Sequence, residues 1–154
     1  MVSKVPFTFR EFRKEDIPET KKIIRSTLGL VDSFKAKKEF YLGLRKDPKF
    51  SICKRFVILL HGKIIGLFGV YLFSVHPKNY LGVDWFAIKK EYQRKGIGSS
   101  LVKEMSKISR KLHKRNLFVW ADKHAVGFYI KTGFKLSNKK ILPKEGDYFM
   151  IKKL

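Results

Sequence analysis

The most constraining stretch of the sequence lies between residues 83 and 112, where an apolar run, a glycine-rich loop and a helical pattern follow one another. The run Val-Asp-Trp-Phe-Ala-Ile at 83–88 is typical of a buried strand, and the loop at 92–98 reads Tyr-Gln-Arg-Lys-Gly-Ile-Gly. Apolar residues then recur at the spacing of one helix face, at Leu101, Met105, Ile108 and Leu112. The chain therefore brings a strand end, two glycines and a helix N-terminus to one point.

This loop has the properties of an anion-binding site. Glycine lets the backbone approach a ligand closely, and the first N–H groups of a helix have no partner within it. The helix dipole adds positive potential, and Arg94 and Lys95 add more. Two common phosphate loops do not fit, since Ser99 follows Gly98 directly and Leu101 stands where the dinucleotide fingerprint has its third glycine. We expect a phosphate or pyrophosphate ligand; the alternative is a glycine loop that merely begins a helix.

The composition indicates one globular domain with an unusual charge. The chain has 154 residues, a net charge of +22 and 44% hydrophobic residues, and we see no domain boundary within 1–154. The first six residues have no apolar signal core and no apolar run is long enough to span a bilayer, so we expect no secretion signal and a cytoplasmic protein. The single cysteine, Cys53, excludes an intrachain disulfide and is expected to pack as a small hydrophobe. Abundant lysine and a single glutamine also fit a thermophilic source.

The order of predicted elements indicates a mixed α/β fold. Apolar and alternating runs predict seven strands, at residues 7–12, 55–60, 63–73, 80–89, 116–121, 136–142 and 148–153. A first helix follows Asp16, which can cap it, and ends at Gly29; others are predicted at 33–45, after the glycine loop, and at 123–132. His61 and Gly62 form a tight turn between two strands.

The connections between the predicted elements indicate how the strands pair. Through short turns the three middle strands can form an antiparallel meander, and the helix between strands four and five implies a parallel, right-handed crossover. The prediction is a mixed, mostly antiparallel central sheet of about seven strands with helices on both faces.

Two stretches carry a resemblance to a known family. The pattern Gln-x-x-Gly-x-Gly at Gln93, Gly96 and Gly98 resembles the acetyl-CoA loop of the GNAT superfamily of N-acetyltransferases. The stretch 121–134, Ala-Asp-Lys-His-Ala-Val-Gly-Phe-Tyr-Ile-Lys-Thr-Gly-Phe, resembles the segment after the fifth strand of GNAT enzymes, including the histone-acetyltransferase branch. The order of elements agrees over nearly the whole chain. The resemblance implies a GNAT fold whose strands four and five splay apart around acetyl-CoA.

The resemblance also assigns contacts to the coenzyme. Backbone N–H groups of the loop would hold the pyrophosphate, and the backbone of strand four would pair with the pantetheine amides, with one N–H facing the thioester oxygen. The residues implicated in cofactor binding are Phe86, Ala87, Ile88, Gln93, Arg94, Lys95, Gly96, Ile97, Gly98, Ser99, Asp122 and Tyr129. No metal is expected.

Two residues are candidates for proton transfer. Tyr129 matches the tyrosine that gives a proton to the departing thiolate, although plain core packing is the alternative. The histone-type glutamate base corresponds to Gly82, and Asp84 lies two residues on, on the same strand face. Asp84 is either a base with a raised pKa or a structural hydrogen-bonding residue, and a water chain with no dedicated base is a third route. Asp122 is at least as well explained as a helix cap.

The acceptor is an unspecified primary amine, small or on a protein. By resemblance its site involves the first two helices and the loop before the last strand, here Phe34, Phe40, Tyr41 and 143–147. The first hypothesis is an acetyl-CoA-dependent N-acetyltransferase working by direct attack in a ternary complex, as a monomer or homodimer. The alternative is a GNAT-fold module that binds CoA or nucleic acid without chemistry, since the positive charge attracts polyanions and repels lysine-rich histone tails. No membrane partner is expected.

Overall fold

The computed structural model describes residues 5–29, 48–138 and 148–154. Its strands are β1 (Thr8–Glu11), β2 (Phe50–Leu60), β3 (Lys63–Phe73), β4 (Tyr80–Ile88), β5 (Asn116–Ala121), β6 (Lys135–Leu136) and β7 (Tyr148–Lys153). Its helices are α1 (Ile17–Thr27), α2 (Ile97–Lys111) and α3 (Val126–Lys131), and short 3₁₀ turns occupy Lys14–Asp16 and Lys90–Tyr92.

The strands form one mixed, open sheet in the order β1-β2-β3-β4-β5-β7-β6. Neighbouring strands pair antiparallel except β4 and β5, which are parallel and joined through α2. The predicted antiparallel meander and parallel crossover are therefore confirmed. The turn between β2 and β3 is also as predicted, because His61 (φ +49°) and Gly62 (φ +75°) both adopt the left-handed conformation that a two-residue hairpin turn requires.

Helices cover both faces of the sheet. On one face, α2 buries its predicted apolar stripe against β3, β4 and β5, and Leu101 and Met105 are completely buried there. On the other face, Ile23 and Ile24 of α1 pack against Leu67 of β3 and the end of β4. An aromatic cluster fills the rest of that face, with members Tyr71, Tyr80, Phe118 and Phe149. The two layers cover β4 from both sides.

Three predictions from the sequence differ from the structure. Strand β2 begins at Phe50 rather than at 55, and α3 is shorter than the predicted 123–132. Asp16 stands at the start of α1, but within the described chain its carboxylate makes no capping hydrogen bond to that helix. It instead accepts hydrogen bonds from both Nη atoms of Arg10, at 2.8 and 2.9 Å, and from Arg13 N at 2.7 Å.

Several predictions concern residues outside the described ranges. These are the helix at 33–45 with Phe34, Phe40 and Tyr41, most of the strand at 136–142, and the acceptor loop at 143–147. The first helix does end as expected, since Gly29 takes a φ of +107° and donates its N–H to the carbonyl of Ile24 at 3.1 Å.

Candidate functional site

Strands β4 and β5 separate after a short paired segment. Their register runs only from Tyr80 opposite Asn116 to Val83 opposite Val119, while β4 continues to Ile88. At the point of separation Trp85 has a φ of +46°, and the pairing of β4 with β3 shifts by one residue. This β-bulge turns the strand and leaves its outer edge without β5 as a partner.

The backbone groups of Phe86 and Ile88 point into the gap between the strands. Lys89 N donates to the Ile65 carbonyl of β3 at 2.8 Å, so strand alternation directs the groups of Ile88 and Phe86 to the opposite edge. The carbonyl of Ile88 there accepts a hydrogen bond from Gln93 Nε2 at 2.8 Å. The side chain of Gln93 thus ties the glycine loop to the end of β4.

The glycine loop presents the N-terminus of α2 to the same gap. Gly96 is the residue before the helix and has a φ of +82°, a conformation that L side chains rarely adopt. Arg94 also has a positive φ, of +58°, and both it and Lys95 are exposed. The first N–H groups of α2 point out of the helix towards the cleft, with the positive end of the dipole behind them.

Phe128 of α3 closes the floor of the gap. Its ring makes an edge-on contact with Phe86 of β4, with centroids 5.9 Å apart. A Cβ added at Gly98 would lie 3.0 Å from the Phe128 ring, so the glycine permits this close approach. The second loop glycine therefore has a packing reason as well as a ligand-binding one.

These elements enclose a cleft of about 670 Å³. Its wall contains most of the residues that the sequence assigned to the cofactor, namely Phe86, Ala87, Ile88, Gln93, Arg94, Gly96, Gly98, Ser99, Asp122 and Tyr129. Three predicted residues are elsewhere: Ile97 is core, 1% exposed, while Lys95 and Asp84 lie outside the described wall. A volume of this size is in the range of small-molecule sites.

Part of the wall is formed by residues that the sequence patterns did not indicate. Thr27 and Leu28 reach it from the end of α1, and His124, Phe128 and Lys131 reach it from α3 and the turn before it. Phe128 and His124 lie in the stretch 121–134 and could have been included from that signal. The contribution of α1 depends on how it packs across the sheet, which no local pattern reveals.

Tyr129 is a buried phenol at the edge of the cleft. It is 7% exposed, and its ring packs edge-on against Phe128 and Phe134 with centroids 5.2 and 5.1 Å away. Burial strongly raises the pKa of the Tyr129 phenol, and the negative charge of Asp122 raises it further. The hydroxyl therefore stays protonated across the physiological range and is available as a hydrogen-bond donor rather than as a base.

Asp122 shapes the turn that leads into α3. Its Oδ1 accepts hydrogen bonds from the N–H groups of His124 at 2.8 Å and Ala125 at 3.0 Å. The N-cap residue of α3 is Ala125, and among the described residues that helix has no side-chain capping bond, so Asp122 orders the turn before the helix rather than capping the helix as predicted. Its carboxylate also borders the cleft.

Asp84 lies in a row of residues that crosses three strands. Arg55 of β2, Gly69 of β3 and Asp84 of β4 are aligned by the register of the sheet. Arg55 Nη2 lies 3.5 Å from Asp84 Oδ2, and the side chains of Arg55 and Asp84 are 7% and 23% exposed. A Cβ at Gly69 would overlap Asp84 Oδ1, so the glycine provides the space in which the carboxylate lies. The carboxylate therefore lies within ion-pair distance of a nearly buried guanidinium.

The position that corresponds to the family glutamate has no room for a side chain. A Cβ at Gly82 would lie 2.6 Å from the Tyr71 ring and 2.7 Å from the Phe118 ring. These two rings contact each other edge-on, with centroids 5.6 Å apart. The aromatic cluster thus takes the space of a base at this point of β4.

Membrane-spanning helices and metal-binding clusters are both absent from the residues that the structure describes. None of their helices is long and apolar enough to cross a membrane. They also contain no group of three or more His, Cys, Asp or Glu side chains that could hold a metal ion.

A family model described as an acetyltransferase (GNAT) domain matches residues 52–136, which is more than half of the chain. The chain belongs to the GNAT acetyltransferase family. The matched region contains β3, β4, the glycine loop, α2, β5 and α3, so it includes both stretches that carried the resemblance and nearly all of the cleft wall.

Solved structures show the same fold at low sequence identity. The chain is similar to the PaiA N-acetyltransferase of Thermoplasma acidophilum in complex with coenzyme A, with 17% identity, a TM-score of 0.76, and coverage of 97% of this chain and 100% of that one. It is also similar to GCN5 of Tetrahymena, with 20% identity, a TM-score of 0.69, and coverage of 95% of this chain and 95% of that one. A third similar structure is N-acetylglutamate synthase of Neisseria gonorrhoeae, complexed with coenzyme A and L-arginine. The identity is 15% and the TM-score 0.73, and the match covers 98% of this chain and 34% of that one, so this chain spans about a third of that protein.

Proposed function

We propose that this GNAT protein transfers the acetyl group of acetyl-CoA to a primary amine by direct attack in a ternary complex. The observation that carries the proposal is the cleft itself, which joins a helix N-terminus, the unpaired edge of β4 and a buried phenol in one volume of about 670 Å³. Binding of coenzyme A by a protein of the same fold supports the choice of donor.

The glycine loop is suited to the pyrophosphate. Residues 96–99 offer backbone N–H groups at the positive end of α2, and Arg94 and Lys95 add exposed positive charge. The backbone groups of Phe86 and the N–H of Ile88, which point away from β3, are suited to hydrogen bonds with the pantetheine amides, as an additional strand would make them; the Ile88 carbonyl already accepts from Gln93 Nε2. The N–H of Phe86, beside the bulge, is the candidate donor to the thioester oxygen.

The reaction needs one proton removed and one supplied. The amine nitrogen attacks the thioester carbonyl carbon, the C–S bond breaks, and the coenzyme sulfur leaves with its electron pair. Tyr129 is the hydrogen-bond donor to that sulfur as negative charge develops on it, because its phenol stays protonated and borders the cleft, and the thiolate takes its proton from solvent. Asp84, held near Arg55 and outside the described wall, is better suited to attract a cationic acceptor than to take its proton.

The test introduces a negative charge where the pyrophosphate would lie. Ser99 is the third residue of α2, and a glutamate there is favourable for the helix, so Ser99→Glu should keep or raise the stability of the fold. Repulsion of unit charges near a protein surface amounts to about 1–4 kcal/mol at 4 Å. We therefore expect the Kd for acetyl-CoA, measured by calorimetry, to rise at least about tenfold.

Two controls accompany this measurement. Ser99→Ala should bind acetyl-CoA within a few-fold of wild type, and Thr8→Glu adds the same charge at the far edge of the sheet and should have no effect. Coenzyme A release with a panel of amines then tests transfer. Unchanged acetyl-CoA binding in Ser99→Glu would refute the assigned site, and binding without transfer to any amine would favour the alternative of a non-catalytic module.

A further inference from the structure

The exposed face of α2 carries a basic stripe, which we define as Lys103, Lys107, Arg110 and Lys111. All four side chains are exposed. Their spacing of four, three and one residues places them on one side of the helix, opposite the apolar stripe that begins at Leu101. Glu104 is the single acidic residue of α2, and it pairs with Lys107 at 2.8 Å. Most of the positive charge of this face therefore has no neutralising partner on the helix.

The rest of the described chain from α2 onwards adds positive charge rather than balancing it. Besides the four stripe residues, 97–138 contains five Lys and Arg residues and 148–154 contains two, against two acids, Glu104 and Asp122. Lys152 of β7 donates a hydrogen bond to the Thr132 carbonyl at 2.7 Å. The pKa of Lys152 is lowered by burial and also by the positive charges of Arg110 and Lys103, so strand and helix contribute to one positive surface.

The stripe also costs the helix stability. Lys103 and Lys107, and likewise Lys107 and Lys111, are four residues apart, where like charges repel. Alternation with acidic residues would have made the helix more stable and equally soluble. A polyanion laid along the face would remove this repulsion, which makes such a ligand a physical reason for the pattern.

We propose that the basic stripe binds the phosphodiester backbone of a nucleic acid. The four positive charges span about 12 Å along the helix axis, and a duplex offers a phosphate about every 1.7 Å of its own axis, so each cation finds a partner. An anionic membrane is the poorer match. A helix that inserts into a membrane needs an exposed apolar face, whereas the apolar residues Leu101 and Met105 of α2 are fully buried in the core.

The test compares two variants with equal net charge. The stripe variant carries Lys103→Gln, Lys107→Gln, Arg110→Gln and Lys111→Gln. The matched control replaces four exposed basic residues elsewhere, as Lys22→Gln, Arg25→Gln, Lys54→Gln and Lys63→Gln. Binding of a mixed-sequence duplex DNA is measured against salt concentration. With four phosphate contacts the wild-type affinity should fall by about 150-fold between about 50 and 200 mM salt.

The expected result is specific to the stripe variant. The slope of the logarithm of its binding constant against the logarithm of the salt concentration should be smaller in magnitude by about 3.6, and its affinity at low salt should be much lower. The control should keep the wild-type slope. Duplex RNA of the same sequence distinguishes the two sources of phosphodiester. Circular dichroism and an unchanged acetyl-CoA Kd show that the stripe variant is folded, and they keep this result separate from the test of the cleft.

Several results would overturn the proposal. Equal losses in the stripe variant and the control would mean that only net charge acts. Displacement of the DNA by acetyl-CoA would place it at the glycine loop instead. No DNA or RNA binding at about 50 mM salt, or tighter binding to phosphatidylserine vesicles than to either nucleic acid, would exclude a nucleic-acid surface.

Discussion

Replacement of Tyr129 by phenylalanine isolates one hydroxyl group at the centre of the proposed chemistry. The ring contacts to Phe128 and Phe134 remain, because they involve ring edges and faces that phenylalanine also has. The phenol is 7% exposed and borders the cleft, so the change removes a donor without opening a cavity. Stability should therefore change by no more than about 1.5 kcal/mol.

The raised pKa of the Tyr129 phenol decides the size of the effect on rate. A free thiol has a pKa of about 8.5, below that of the phenol, so complete proton transfer from Tyr129 to a thiolate is uphill. Donation of a hydrogen bond to the sulfur as charge develops on it is favourable and contributes about 1.5–3 kcal/mol. Because about 1.36 kcal/mol corresponds to a factor of ten, kcat should fall about 10- to 150-fold.

The assay is the initial rate of coenzyme A release at saturating acetyl-CoA across about pH 6 to 9. Tyr129 does not titrate in this range, so the ratio of wild-type to Tyr129→Phe rates should be independent of pH. Tyr92→Phe removes a second phenol from the same cleft wall and should change kcat less than threefold. A Tyr129→Phe enzyme as fast as wild type would remove the residue from the mechanism, and a ratio that collapses near neutral pH would contradict the raised pKa.

Three further predictions follow from charges and packing. Asp84→Asn should raise the KM of a cationic acceptor about tenfold with little change in kcat; a fall in kcat of about a hundredfold would instead identify a base. Gly82→Glu should not increase the rate and should lower the free energy of unfolding by about 1–3 kcal/mol in urea titrations, because two aromatic rings occupy the space. Asp16→Asn should cost about 2 kcal/mol. Burial raises the pKa of Asp16, but hydrogen bonds, chiefly from Arg10, outweigh it and lower the pKa below its ordinary 3.8. The stability from this pair is therefore present above about pH 4 and lost as the pH falls further, and the variant should lack that acid-dependent loss.

The parts of the fold that the sequence predicted correctly are those that local chemistry decides. The turn at His61 and Gly62 needs two residues with positive φ, and the pair is one that tolerates this. The apolar stripe of α2 and the apolar run of β5 recur at spacings that only one kind of element satisfies. The glycine loop was recognisable because Gly96 adopts a conformation that other residues avoid.

The parts that it could not predict depend on the register of distant strands. The bulge at Trp85 arises from the pairing of β3 with β4, and no residue type in the sequence of β4 predicts it. Arg55 and Asp84 are 29 positions apart in the sequence. Their side chains meet because the residue between them in the sheet, Gly69, has no side chain. The carboxylate of Asp16 could have capped α1, but Arg10, brought close by β1, offers two charged hydrogen bonds instead. In each case a tertiary neighbour outweighed a local preference.

The route by which the amine loses its proton follows from the same neighbours. Position 82 cannot carry a carboxylate, and the carboxylate of Asp84 lies over Gly69 beside a nearly buried guanidinium. Among the residues of the cleft wall, Tyr129 stays protonated, and Asp122 accepts two backbone hydrogen bonds in the turn before α3. Neither arrangement supplies a carboxylate base directed at an attacking nitrogen. We infer that no carboxylate of the protein receives this proton, which passes instead to water in the cleft or to the exposed imidazole of His124, a further residue of the cleft wall.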